Sequence, residues 1–232
     1  MLYSTERKKL AKKIGQLKDL GILNPEGGGI AVRLTDGMIL VSPTGGAFRL
    51  WEVQPEDILV TDLSGKIVEK GKYLAIAELP IDLYIFANYP LANAVFHLHG
   101  PYSLAFASLC LPIPHTTNHV EILGEVPCLK SPDETKLKRE YLANSFKVNI
   151  PEAVVYRPEV FLVFDRLIKE FNNCFGSRGQ ELDKHGLAFT VEKHGLFVFA
   201  RNLDEAIENA VRVEGAARTA IFSKLIIQHA KN

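Results

Sequence analysis

The chain has 232 residues, 47% of them hydrophobic and 23% charged, a balance that fits a packed globular protein and excludes a disordered one. Twenty-seven basic residues offset twenty-seven acidic ones, so no net field draws nucleic acid or an acidic membrane as a partner. The length suits a single domain over residues 1–232, and no apolar run nears the roughly 20 residues of a membrane span.

Leu10, Ile14, Leu17 and Leu20 repeat at helical spacing, so a first helix starts near Ser4 or Thr5 and stops at Gly21. Arg7-Lys8-Lys9 and Lys12-Lys13 then form its solvated face rather than a nucleic-acid patch. This charged start has no apolar core of a signal peptide. Cys110, Cys128 and Cys174 stand at unrelated spacings and read as small buried hydrophobes of a reducing compartment, so a cytoplasmic location is expected.

After Gly27-Gly28-Gly29, Ile30–Leu34 and Met38–Ser42 are strands joined at Asp36-Gly37, a hairpin signal. Asp57–Thr61 and Ile67–Glu69 are two more, and such tight connections predict an antiparallel sheet. Pro80 opens a helix running to about Tyr89, with Glu78 at or just before its start. A strand through Ala92–Phe96 ends in His97-Leu98-His99, and a helix-like stretch from Tyr102 to Leu109 follows. Ser131 to Gln180 is less legible, charged at first and then apolar around Val160–Phe164. Leu187–Val191 and Leu196–Ala200 are strands flanking Glu192-Lys193-His194-Gly195. A long last helix begins at Asn202 or Asp204, with Ala206, Ile207, Ala210, Val213, Ala217, Ile221 and Leu225 as its buried stripe. The expected architecture is α/β, layered α/β/α, with a central and mainly antiparallel sheet between helices.

Side chains two apart on a strand share a face, so His97 and His99 project together. Such a pair either is a satisfied core element or holds a divalent transition metal; leaving two buried imidazoles unpaired costs about 1–3 kcal/mol each. If the fold brings His194 to them, three neutral imidazoles leave an open fourth position, the pattern of a catalytic rather than a structural zinc. Glu78 is then a general acid/base; its plainer role is an acid favoured by the helix dipole. His115 and His119 could line the site, while His185 and His229 look peripheral. The glycine triplet is either a turn or an anion cradle.

The ordered set of motifs resembles the class II aldolase/adducin family. It runs from the helix ending Leu20-Gly21 through Gly28–Arg33, Asp36-Gly37-Met38, Ser42-Pro43-Thr44-Gly45, Asp57, Val60, Gly65, Gly71, Glu78 and Asn93–His99. It resumes at His194-Gly195-Leu196 and continues through Leu203–Ala206 and Val213–Ala217. The resemblance implies His97, His99 and His194 as Zn²⁺ (or other divalent metal) ligands, Glu78 as the catalytic acid/base, and a ring-shaped homotetramer. It further implies retro-aldol cleavage of a ketose or sugar-phosphate-like substrate through a zinc-held enediolate. Same-fold relatives epimerise, dehydrate or decarboxylate instead; the epimerases carry aspartate where Glu78 stands, and adducin-type members are non-catalytic interaction domains.

Four departures stand out. Gly28-Gly29-Ile30-Ala31 replaces the family's Gly-Asn-x-Ser loop, and Ile76-Ala77 replaces a Ser-Ser pair, so a phosphate monoester loses several donors. Gly28, Thr44 and Gly45 remain as substrate-binding matches. Asn118 stands near the family's tyrosine acid, and the segment 131–184 is longer than in the aldolases.

Overall fold

A computed structural model describes residues 1–24, 27–44, 50–133, 135–137, 139, 151–154 and 158–230. Eight strands form one sheet: β1 (Gly29–Arg33), β2 (Ile39–Val41), β3 (Leu59–Thr61), β4 (Ile67–Glu69), β5 (Ala94–Leu98), β6 (Cys128–Leu129), β7 (Leu187–Val191) and β8 (Gly195–Ala200). Their order is β4-β3-β2-β1-β5-β8-β7-β6. Neighbours run antiparallel except the β6–β7 pair, so the α/β sheet is mixed and mainly antiparallel. The β1–β2 hairpin turns where Asp36-Gly37 predicts it: Gly37 has φ 85° and Leu34 N donates to Met38 O at 2.7 Å.

Strand alternation divides the core in two. Ile30, Leu40, Phe96, Leu98, Leu196 and Val198 meet α1 (Ser4–Asp19) and the last helix. Ala31, Ile39, Val95, Phe197 and Phe199 meet α2 (Leu79–Asn88) and a helix over Pro158–Phe175. His97, between Phe96 and Leu98 on β5, therefore projects to the second face, the side on which α2 begins.

Among the described residues the remaining α-helices are α3 (Pro101–Ser108), α4 (Asn118–Glu121), α5 (Pro158–Phe175) and α6 (Leu203–Ala230). The sequence reading finds neither α5 nor the edge strand β6. Yet Phe164, Leu167, Phe171 and Phe175 are all buried, at spacings that place them on one helical face. Phe171 meets Tyr89 edge-on at 5.6 Å and stacks on Phe175 at 5.0 Å, which ties α5 to the end of α2.

Other expectations need correction. Arg7 is 1% exposed and its guanidinium lies 3.0 Å from the Glu69 carboxylate, so it joins α1 to the sheet edge instead of facing solvent. Lys9 and Lys13 do lie on the outer face, paired with Asp204 of α6 at 3.3 and 2.8 Å. The buried stripe of α6 ends at Ala220; Phe222, Leu225, Ile226 and Ile227 beyond it are exposed. The three cysteines are half-buried and free rather than fully buried, and burial raises the Cys128 thiol to about 11. Among the described residues, no helix is long and apolar enough to cross a membrane.

Candidate metal centre

Glu78 is the N-cap of α2, with helical backbone angles and no capping bond from its side chain. Pro80 in the first turn lacks an N–H to be capped, which suits the helix start. The carboxylate is thus free of the helix end and reaches the histidines: Oε1 lies 3.5 Å from His194 Nε2 and 3.8 Å from His97 Nε2. A helix-dipole role does not account for that direction.

His97 pairs with Gly29 of β1 on one side and Phe197 of β8 on the other. Its ring stacks on Phe197 at 4.3 Å between centroids and on His194 at 4.9 Å. His99, just past the end of β5, brings its Nε2 to 2.9 Å from that of His97. Burial, then the nearness of His194 and His99, pushes His97 well below the usual imidazole range, so it is neutral at physiological pH. That is the protonation state of a metal ligand.

His194 occupies the β7–β8 turn, where Lys193 takes the left-handed conformation (φ 57°) and Gly195 follows at φ 138°. A Cβ at Gly195 would lie 2.5 Å from Leu98 O and 3.0 Å from His97 Cε1, so only glycine lets the turn close over the paired histidines. From the far side, Phe164 of α5 meets the His194 ring edge-on at 5.5 Å.

One oxygen or nitrogen of each of Glu78, His97 and His194 falls within 4.8 Å of the others, and His99 joins this group through its contact with His97. Among the described residues His194 Nε2 is buried without a hydrogen bond, the Glu78 carboxylate lying 3.5 Å away, a costly state for a polar atom that a shared cation would relieve. Zinc ligands about 2.0–2.1 Å from a tetrahedral ion lie roughly 3.4 Å apart. Converging imidazoles, with His97 held neutral by burial and a carboxylate beside them, fit a divalent metal.

The expected substrate-binding positions fare differently. Gly28 has φ 126°, and a Cβ there would lie 2.8 Å from His97 O, so packing against the histidine strand already requires glycine. Thr44 is half-buried, with its N–H donated to Leu74 O at 2.7 Å. Gly45 lies outside the described residues. His115, Asn118 and His119 are exposed around α4, and His185 turns its Nδ1 to the carbonyl of Gly186. Sequence reasoning misses Phe164 and Phe197, the ring wall behind the imidazoles, and also Asp82. That carboxyl, one turn after Glu78, is buried, has no partner for Oδ1 among the described residues, and is held well above the usual carboxylate range by burial, then by Glu78.

Residues 8–221 match the model of the class II aldolase and adducin N-terminal domain. The chain belongs to the class II aldolase and adducin family. Among curated relatives, L-ribulose-5-phosphate 4-epimerase UlaF of Salmonella paratyphi B is 26% identical over 190 residues, covering 81% of this chain and 71% of that protein. YgbL of Escherichia coli, described as an aldolase, epimerase or decarboxylase, has the same fold, with a TM-score of 0.69 and 20% identity over 96% of this chain and 91% of its own. A solved L-fuculose 1-phosphate aldolase also has a TM-score of 0.69, at 20% identity over 97% of this chain and 89% of that one. The family is one of enzymes that typically use a divalent metal, and aldolase and epimerase stand side by side among these relatives.

Proposed function

We propose that this family member is a zinc-dependent carbon–carbon lyase that reversibly cleaves a ketose-type hydroxy-carbonyl compound by retro-aldol chemistry. His97, His99 and His194 hold the metal and Glu78 is the acid/base. The observation that carries this reading is the Glu78 carboxylate, 3.5 and 3.8 Å from the ring nitrogens of His194 and His97. A carboxylate there is placed to hold or move a proton at a substrate carbon beside the imidazole cluster.

When bound, the metal supplies a Lewis acid that polarises the substrate carbonyl and stabilises negative charge on oxygen. Glu78 protonates the carbon that keeps the electron pair after cleavage, or removes that proton in the condensation direction. The half-enclosed setting of Glu78, 13% exposed, limits competing protonation by water. Gly28, Thr44 and Gly45 border the substrate in this reading.

Epimerisation is the second reading, favoured by the 26% identical relative named for that reaction. It too begins with bond cleavage beside a carbonyl; Glu78, rather than an aspartate, inclines the site towards the lyase. Turnover of ketoses and ketose phosphates separates the two: release of two carbonyl fragments marks a lyase, and a stereoisomer of unchanged mass marks an epimerase.

We read residues 1–232 as one domain, because a single sheet takes strands from Gly29 to Ala200. The exposed Phe222, Leu225, Ile226 and Ile227 at the end of α6 support a homotetramer in which copies cover one another, to be checked by light scattering. Three free thiols suit the cytoplasm.

A further inference from the structure

Strand β5 fixes the first histidine of the cluster and stops short of the second. The β5–β8 register ends at the Leu98–Leu196 pair, and β1 pairs no further along β5 than His97. His99 therefore stands between the end of that ladder and the start of α3, whose N-cap is the next residue, Gly100. Its ring has little room to drift. Its Nε2 lies 2.9 Å from that of His97, and a Cβ on Gly195 would lie 2.9 Å from its Cδ2.

The start of α3 is held from outside the helix. Gly100 has no side chain to cap it and Pro101 has no N–H, so the N–H groups of Tyr102 and Ser103 need an acceptor. Both donate to Glu214 of α6, at 2.6 Å to Oε1 and 3.0 Å to Oε2. Glu214 is 7% exposed, and its carboxylate fills the place of a local cap: a Cβ on Gly100 would lie 2.4 Å from Oε2. A serine at position 100 would cap such a helix by itself but would not tie it to α6. That tie has a rigid base. Val213 and Ala217, close to Glu214 on α6, are buried in one cluster with Phe96 and Leu98 of β5.

We infer that Glu214 is a positioning residue for His99: it ties the turn after this ligand to α6, and so fixes the third imidazole against the other two. The inference rests on the metal-dependent reading above and adds a residue that acts through a ligand. A group of this kind sets ligand geometry, so its loss reaches metal binding as well as stability.

The test is titration of the metal-free protein with cobalt(II), whose visible absorption reports the number and geometry of its ligands. Glu214→Ala should bind cobalt about tenfold more weakly, with an altered spectrum. Glu214→Gln keeps an acceptor oxygen at the same reach and should recover the parent spectrum. The double change Gly100→Ser, Glu214→Ala puts a local cap in the space the carboxylate leaves. It should regain the parent unfolding midpoint while cobalt binding stays weak. Parent-like cobalt binding in Glu214→Ala, or its full return in the double variant, assigns Glu214 to helix capping alone and overturns the inference, leaving the metal site standing. Should Glu214→Ala not fold, the double variant decides in the same sense. A parent chain that binds no cobalt overturns the metal-dependent reading and the inference with it.

Discussion

The rings of His97 and His194, from distant parts of the chain, lie 4.9 Å apart and within 18° of parallel. Neither could hold that position alone. His97 is set by the β5–β8 register, which lays it against Phe197, and His194 by a turn that closes only with glycine at 195. A buried imidazole stacked face to face on a second one, with a carboxylate beside them, calls for a shared partner.

Gly195→Ala should therefore damage the centre from the backbone. Its Cβ would meet Leu98 O at 2.5 Å in a conformation that L residues rarely adopt. The expected result is a loss of about 1–3 kcal/mol in denaturant unfolding. Metal affinity, measured with a chromophoric chelator, should fall as well. An unchanged midpoint and affinity would show that the turn tolerates the side chain.

Glu78→Gln should keep the bound metal while lowering turnover about 10²–10⁴-fold, the usual contribution of a placed acid/base. The readouts are metal content and solvent-deuterium incorporation into product. Full exchange at the parent rate would remove Glu78 from the chemistry.

Phe164→Leu tests whether α5 orients His194. The ring edge at 5.5 Å holds the imidazole from behind, as outer groups orient metal ligands. Metal should bind about 10–100-fold more weakly, with recovery in Phe164→Tyr. A drop in melting temperature at unchanged affinity would assign Phe164 to packing alone.

Asp82 gives a pH dependence with a definite sign. Its folded-state value is raised by burial and then by Glu78, so between the ordinary carboxylate range and the raised value the native protein holds a proton that the unfolded chain has lost. Stability from this group is greatest below the ordinary carboxylate range and declines as pH rises towards the raised value. Asp82→Asn should raise the melting temperature at pH 8, by roughly 2–4 °C per kcal/mol relieved, with the gain shrinking towards pH 4. A gain that is constant with pH would mean the carboxyl is not the titrating group.

Much of this was readable from residue order. The alternation in β5 and β8 places His97 on one face, Asp36-Gly37 marks the first hairpin, and Pro80 marks the start of α2 beside Glu78. What stayed hidden depends on contacts between distant segments. Arg7 lies in a basic run, and only the distant Glu69 explains its burial. Helix α5 begins in an apolar run that suits a strand as well, and its Phe164, Phe171 and Phe175 face is recognised once β7 and β8 are there to receive it. The meeting of His194 with His97 follows from β8 lying next to β5, a pairing that no local spacing specifies.

The most direct measurement is the metal content of the purified protein after incubation with zinc and removal of the excess, for the parent chain and for His97→Ala and His194→Ala. The account predicts about one metal per parent chain and a loss in both variants while circular dichroism shows them folded. A folded parent that stays metal-free, or variants that keep the full complement, would contradict it.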